Sequence, residues 1–146
     1  AIFFEAALDE EALSEPDDLA YPFSIPLMDG TGMPYIEPLA VWRAMLGDIV
    51  LGTSVGVMSA RFHRGLAKAI SDMALRLTKD TQIDTVALSG GCFQNAVLFK
   101  LVHQSLEESG LNVLSHSQYP ANDGGISLGQ AVIALANTQG ENNTCA

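Results

Sequence analysis

Positive charge is what this chain has least of. Seven Lys and Arg stand against 17 Asp and Glu in 146 residues, for a formal net charge of -10. An acidic surface of that size repels a phosphate backbone. No local basic patch offsets it: Lys68, Arg76 and Lys79 fall on one helical stretch, but Asp72 and Asp80 are interleaved with them. Nucleic acid is therefore not an expected partner. Cysteine is scarce as well, with only Cys92 and Cys145, far apart and without any CxxC. That excludes a disulfide framework and a zinc site built from cysteines. No apolar run approaches the roughly 18–20 residues that span a membrane, and the N-terminus carries no basic-then-apolar signal segment. A soluble, cytoplasmic protein without a membrane partner is the resulting expectation. Three catalytic signatures are missing too: the P-loop lysine, the G-x-G-x-x-G fingerprint and the nucleophile elbow. Without the elbow, a Ser-His-Asp reading of Ser89, His63 or His116, and Asp123 has no sequence support.

What is present is apolar. Hydrophobic residues make up 48% of the chain, enough for one domain with a real core. The organising stretch is 85–95, TVALSGGCFQN. A strand over 85–89 runs into Gly90-Gly91, and a helix follows. Glycines let the backbone turn tightly and approach a ligand, and a helix N-terminus offers unpaired N–H groups to an anion. A second loop of the same kind, 121–129 (ANDGGISLG), follows a strand over 112–115. Both loops are expected at the C-terminal edge of parallel strands, where α/β folds place ligands.

The rest of the chain reads around this pair. A helix is expected over 1–14, with Ile2, Phe3, Ala6, Ala7 and Leu13 near one face, ended by Pro16-Asp17-Asp18. It starts without an N-cap signal, which predicts that the chain is a piece of a longer protein. Strands over 21–28 and 33–37 flank the turn Asp29-Gly30-Thr31-Gly32, and four prolines put this hairpin at an edge. Pro38 opens a helix carrying Leu39, Trp42, Met45, Leu46 and Ile49, which ends at Gly52. Thr53-Ser54 caps a long helix to about Lys79, with Val55, Met58, Phe62, Leu66, Ile70, Met73 and Leu77 on its buried face. Further helices are expected from Phe93 to about Ser109 and from Ile126 to about Asn137. The latter has Leu128, Ala131, Val132, Leu135 and Ala136 at helical spacing. The division is thus 1–52 for helix, hairpin and helix, 53–137 for an αβαβα core, and 138–146 for a polar, flexible tail. Two parallel strands and a hairpin make a thin sheet, which again points to a partial domain.

Several residues could carry chemistry, each beside a plainer role. Asp123 suits a divalent metal, which would neutralise ligand phosphates; equally, it could cap the last helix. Asn95 could bond a base or ribose edge, or serve the loop backbone. Phe93 could pack on an adenine face or belong to the core, while Gln94 reads as local. His63 reads as a hydrogen-bonded structural residue. Cys92, at a helix start with no base nearby, reads as a small packing residue.

LSGGCFQN (88–95) and YPANDGGISLGQAVIA (119–134), with ARFHRGLA (60–67), AIFFEAAL (1–8) and YPF (21–23), resemble the C-terminal part of the [NiFe]-hydrogenase maturation carbamoyltransferase family, HypF. The resemblance implies the C-terminal lobe of an actin- and sugar-kinase-like (ribonuclease H-like) α/β domain. It implies an enzyme that makes carbamoyl adenylate from carbamoyl phosphate and ATP. The carbamoyl group then passes to the C-terminal cysteine of a maturation partner protein. It also implies that Gly90, Gly91 and Asn95 line the nucleotide and that Asp123 helps hold the metal, which would be Mg, Zn or Fe. Beside them Ser89, Phe93 and Gly124 are expected to contact the nucleotide, and Asp123 is the expected catalytic residue. The chain departs from the family in having no pair of histidines four residues apart; His63, His103 and His116 are its only three. It is thus expected to hold half of a cleft and to be inactive alone. A small-molecule O-carbamoyltransferase and a catalytically inactive nucleotide-binding or interaction module are the alternatives.

Overall fold

The computed structural model describes residues 2–142. Its spine is α3 (Val55–Thr81), a 27-residue helix capped by Ser54, whose side chain accepts from Val57 N. Residues at its centre are buried on more than one side: Met58, Ser59, Ala60, His63, Gly65, Ala67, Ala69 and Ser71. The expected apolar stripe is therefore too narrow in the middle and too long at the ends, where Val55 and Leu77 are exposed. A helix with cores on both flanks buries small residues wherever another backbone crosses it. Gly65 is the clearest case, since a Cβ there would lie 2.1 Å from the carbonyl oxygen of Tyr21.

One core joins α3 to the α/β part of the chain. Strand β1 (Thr85–Leu88), helix α4 (Ala96–Glu108) and strand β2 (Asn112–Ser115) follow α3, and the two strands pair in parallel, Leu88 opposite Ser115. Leu88, Leu98, Val102 and Leu106 pack with Ala67, and Val86 and Val113 join them. Gly110, at a φ of 82°, turns the chain from α4 into β2. The other core holds Tyr21, Val41 and Met58, packed against Phe4, Phe23 and Phe62. It lies between α3, α2 (Leu39–Leu51) and the N-terminal segments.

Several expectations change here. The helix expected over 1–14 is only α1 (Ile2–Ala6), followed by a 3-10 turn at Glu11–Ser14. Ile2, Phe3, Ala6 and Ala7 are exposed, while Phe4 enters the core. The hairpin forms antiparallel bridges at Ser24↔Glu37 and Leu27↔Pro34 rather than full strands, and it does not extend the parallel sheet. Prolines at 22, 26, 34 and 38 remove the donors a continuous ladder needs. Helix α5 (Ile126–Asn142) runs past the expected end at Asn137 into the segment expected to be a flexible tail, and 143–146 lie outside the described residues. Its apolar residues are exposed, Val132, Ile133 and Leu135 among them.

A polar knot holds the second core to α3. Asp48 accepts from Tyr21 Oη at 2.6 Å, from Thr53 Oγ1 at 3.1 Å and from Arg61 Nη1 at 3.0 and 3.1 Å. Arg61 also pairs with Glu15 at 3.0 Å. Burial alone would push the Asp48 carboxyl up, but the hydrogen bonds from Tyr21, Arg61 and Thr53 and the Arg61 charge outweigh it and hold the carboxyl low. Burial, then the bond to Asp48 and its charge, push the Tyr21 phenol well above its ordinary range. Since the folded Asp48 value lies below the unfolded one of about 3.9, its contribution is complete above that pH and is lost as pH falls through the folded value. Asp48→Asn leaves Arg61 without one of its two carboxylates and is expected to destabilise by about 3 kcal/mol. In urea unfolding at neutral pH the variant's midpoint should drop, and the difference from wild type should shrink as the pH is lowered toward about 3.

Candidate functional site

The site lies at the C-terminal edge of β1 and β2. Beyond Leu88 the chain passes Ser89 and turns at Gly90, whose φ of 99° is one that L side chains rarely adopt. A 3-10 turn at Gly91–Gln94 then precedes α4, so the helix starts three residues later than expected. The second loop meets this turn directly: Gly90 N donates to Ala121 O at 2.7 Å. A Cβ on Gly91 would sit 4.0 Å from Cβ of Asn122. The two glycine loops are thus in contact, as their positions after parallel strands predict.

Asn122, not Asp123, is the capping residue. Its side chain accepts from Gly124 N at 2.9 Å, and a 3-10 turn at Asp123–Gly125 leads into α5. Asp123 is exposed. Among the described residues no group of three or more His, Cys, Asp or Glu could hold a metal ion. These residues by themselves do not make a metal centre; Asp123 offers a single carboxylate.

The start of α4 differs from an open anion site. Asn95 caps it, its Oδ1 accepting from Leu98 N at 2.8 Å, and Glu5 Oε1 accepts from Ala96 N at 2.7 Å. A carboxylate therefore already occupies the positive end of this helix. The N–H groups of Gly91 and Cys92, which begin the preceding turn, have no acceptor among the described residues.

Behind the loop stands a fully determined chain of hydrogen bonds. His63 is 2% exposed. Its Nδ1 lies 2.8 Å from Ser59 O, which can only accept, so Nδ1 carries the proton. Nε2 must then accept, and it does so from Asn95 Nδ2 at 2.8 Å. That in turn orients the Asn95 amide with Oδ1 toward Leu98 N. Ser59 Oγ donates to Phe4 O, which carries the chain back to α1. His63 is structural, as its spacing suggests, and Asn95 serves the loop backbone. The partner of Asn95, 32 residues away in sequence, has no sequence signal.

A cavity of about 660 Å³ opens beside the first loop, lined by residues that include His63, Gly91, Cys92, Asn95, Leu66 and Glu5. Its size is typical of a small-molecule site. Of the expected nucleotide set it takes in Gly91 and Asn95, whereas Ser89, Gly90, Phe93 and Gly124 lie outside its lining, as does the expected metal ligand Asp123. Phe93 is half-buried against the first core. Cys92 is exposed, contrary to its reading as a packing residue, because the 3-10 turn carries it away from the α4 core.

This architecture matches known proteins. Residues 2–130 fit the family described as carbamoyltransferase, Kae1-like domain, second subdomain. The chain belongs to the HypF carbamoyltransferase family. It is 36% identical over 149 residues to the carbamoyltransferase HypF of Rhizobium leguminosarum bv. viciae, covering 97% of this chain and 19% of that protein. With the Rhodobacter capsulatus carbamoyltransferase HypF it shares 45% identity over 74 residues, 51% of this chain and 10% of that one. A solved structure, full-length HypF in the phosphate- and nucleotide-bound form, superposes with a TM-score of 0.78 at 37% identity, over 90% of this chain and 16% of that chain. The chain thus spans a fifth or less of the HypF proteins it matches. The α/β fold class expected from sequence, the C-terminal lobe of an actin-like domain, stands. Among the described residues no helix is long and apolar enough to cross a membrane.

Asn95→Ala removes a helix cap and leaves buried His63 Nε2 without its donor. Each loss is of order 1 kcal/mol, so a destabilisation of about 2 kcal/mol is expected in urea unfolding. His63→Leu combined with Asn95→Ala should cost less than the sum of the two single changes, which a double-mutant cycle would measure.

Proposed function

We propose that this chain is part of a carbamoyltransferase that makes carbamoyl adenylate from carbamoyl phosphate and ATP. The carbamoyl group is then handed to the C-terminal cysteine thiol of a hydrogenase-maturation partner, in the cytoplasm. The observation that carries this reading is the 2.7 Å bond between Gly90 N and Ala121 O, which joins the two motif loops at the ligand-bearing edge of the sheet. Membership of the HypF family supports it, and so does a solved relative described as phosphate- and nucleotide-bound.

Within that reading the residues divide the work simply. The glycine turn, with Ser89, Gly90, Gly91 and Gly124, lets a nucleotide approach the backbone, and the free N–H groups of Gly91 and Cys92 favour negative charge there. Phe93 and Asn95 support the turn from behind. Asp123 contributes one carboxylate toward a divalent cation, with further ligands from outside this chain; a cation held by one or two carboxylates together with phosphates is ordinary for Mg²⁺. Such an ion, when bound, would offset phosphate charge. The contribution of this chain's own residues is positioning and electrostatic stabilisation rather than covalent chemistry.

In the full-length protein Asp123→Asn is expected to abolish carbamoyl transfer. Carbamoyl-phosphate-dependent ATP turnover at the wild-type rate in that variant would count against the assignment. The 146-residue chain alone is expected to bind ATP only weakly, because it supplies one side of the cleft; calorimetry giving a micromolar Kd would contradict this.

A further inference from the structure

We propose that His116 is the base that takes the proton from the group receiving the carbamoyl, with Ser89 as its positioning residue. The proposal rests on the carbamoyl-transfer reading above and adds a role that neither motif loop supplies.

The register brings the two residues together. Leu88 pairs with Ser115 in the last rung of the parallel ladder, so Ser89 and His116 are the next residues out on adjacent strands. Ser89 Oγ lies 3.1 Å from His116 Nε2, and both residues are exposed. One residue beyond Ser89 and five beyond His116, the chains are tied again by the bond from Gly90 N to Ala121 O. The pair therefore sits between the last strand rung and the junction of the two loops.

Among the described residues His116 is the histidine free for proton transfer. His63 is buried with both ring nitrogens engaged, and His103 pairs with Glu107 at 3.2 Å within α4. On His116 only Nε2 has a partner. With Nε2–H donating to Ser89 Oγ, the lone pair of Nδ1 is open to an incoming acceptor.

The chemistry requires such a group. A thiol has an ordinary pKa of about 8.5 and is mostly protonated at neutral pH, whereas the thiolate is the nucleophile. Imidazole changes charge in that range and suits proton abstraction there. The acceptor's S–H proton goes to Nδ1 as its sulfur forms the S–C bond to the carbamoyl carbon. The C–O bond to the adenylate phosphate breaks with its electron pair staying on that oxygen, and AMP leaves as an anion needing no proton. The imidazolium then returns its proton to water. Ser89 is not a nucleophile in this scheme, because a serine carbamate would be too poorly activated to pass its carbonyl to a thiol.

The test uses the full-length protein with two readouts: carbamoyl-phosphate-dependent ATP–pyrophosphate exchange for adenylate formation, and carbamoylation of the acceptor thiol. His116→Gln keeps an N–H toward Ser89 but has no basic nitrogen. Its transfer rate is expected to fall about 100-fold and at least tenfold further than exchange. His116→Ala should behave alike, with free imidazole restoring transfer at least tenfold. Ser89→Ala should lose about tenfold in transfer, and Ser89→Thr, which keeps the hydroxyl, should recover it. Wild-type transfer by His116→Gln overturns the proposal, as does an equal loss of both readouts without imidazole rescue. Absence of exchange in the unmutated protein overturns the carbamoyl-adenylate reading itself and this proposal with it.

Discussion

The contact between His63 and Asn95 is the interaction on which the candidate site depends. It joins the buried middle of α3 to the first residue before α4, next to the apolar core that Ala67 shares with Leu98, Val102 and Leu106. Because His63 is fixed by the Ser59 carbonyl, and Ser59 by α1, the position where α4 begins is set by polar geometry. The glycine turn has its far end at that position. Its near end is fixed by β1. A loop held at both ends is one whose backbone N–H groups can be arranged before a ligand arrives, the condition under which electrostatic stabilisation is worth most.

Charge follows the same organisation. An acidic chain would be a poor host for phosphate if its carboxylates surrounded the loop. Glu15 is instead consumed by Arg61, Asp48 by Tyr21, Thr53 and Arg61, and Asp17 by Arg64. Glu5 and Asp123 are exceptions. Asp123 stands exposed in the second loop. Glu5 lines the cavity and accepts from the start of α4, so a phosphate in that cavity would face a carboxylate. The anion-friendly part of the site is accordingly the 3-10 turn, one step earlier in the chain.

Local signals were legible in the sequence and contact-dependent ones were not. The two parallel strands, the turn at Gly90 and the cap at Ser54 follow from residue type and spacing. So does the meeting of the two loops, because parallel strands deliver their following loops to one edge. The cap at Asn95, in a stretch expected to be already helical, does not. The failures share a cause. Helical periodicity over 1–14 could not foresee that Phe4, off the expected face, would be drawn into the aromatic cluster with Phe62. Nor could it show that α3 has cores on two sides, which reassigns burial from its large residues to its small ones. Ser89 and His116 were each visible, and their pairing was a matter of ladder register. Asp123 was open between metal ligand and helix cap, and the capping is done by Asn122 beside it.

Helix α5 has a consequence for handling the molecule. From Gly124 to Gly140 the sequence has no charged residue, and Ile126, Val132, Ile133 and Leu135 are each more than half exposed. The remainder of the chain carries the whole net charge of -10. The result is an amphiphile: an uncharged, greasy stretch over 124–140 on a strongly anionic body. At low ionic strength mutual repulsion keeps copies apart, and added electrolyte screens that repulsion at separations beyond about 10 Å at 0.1 M. Salting the preparation therefore promotes clustering through α5.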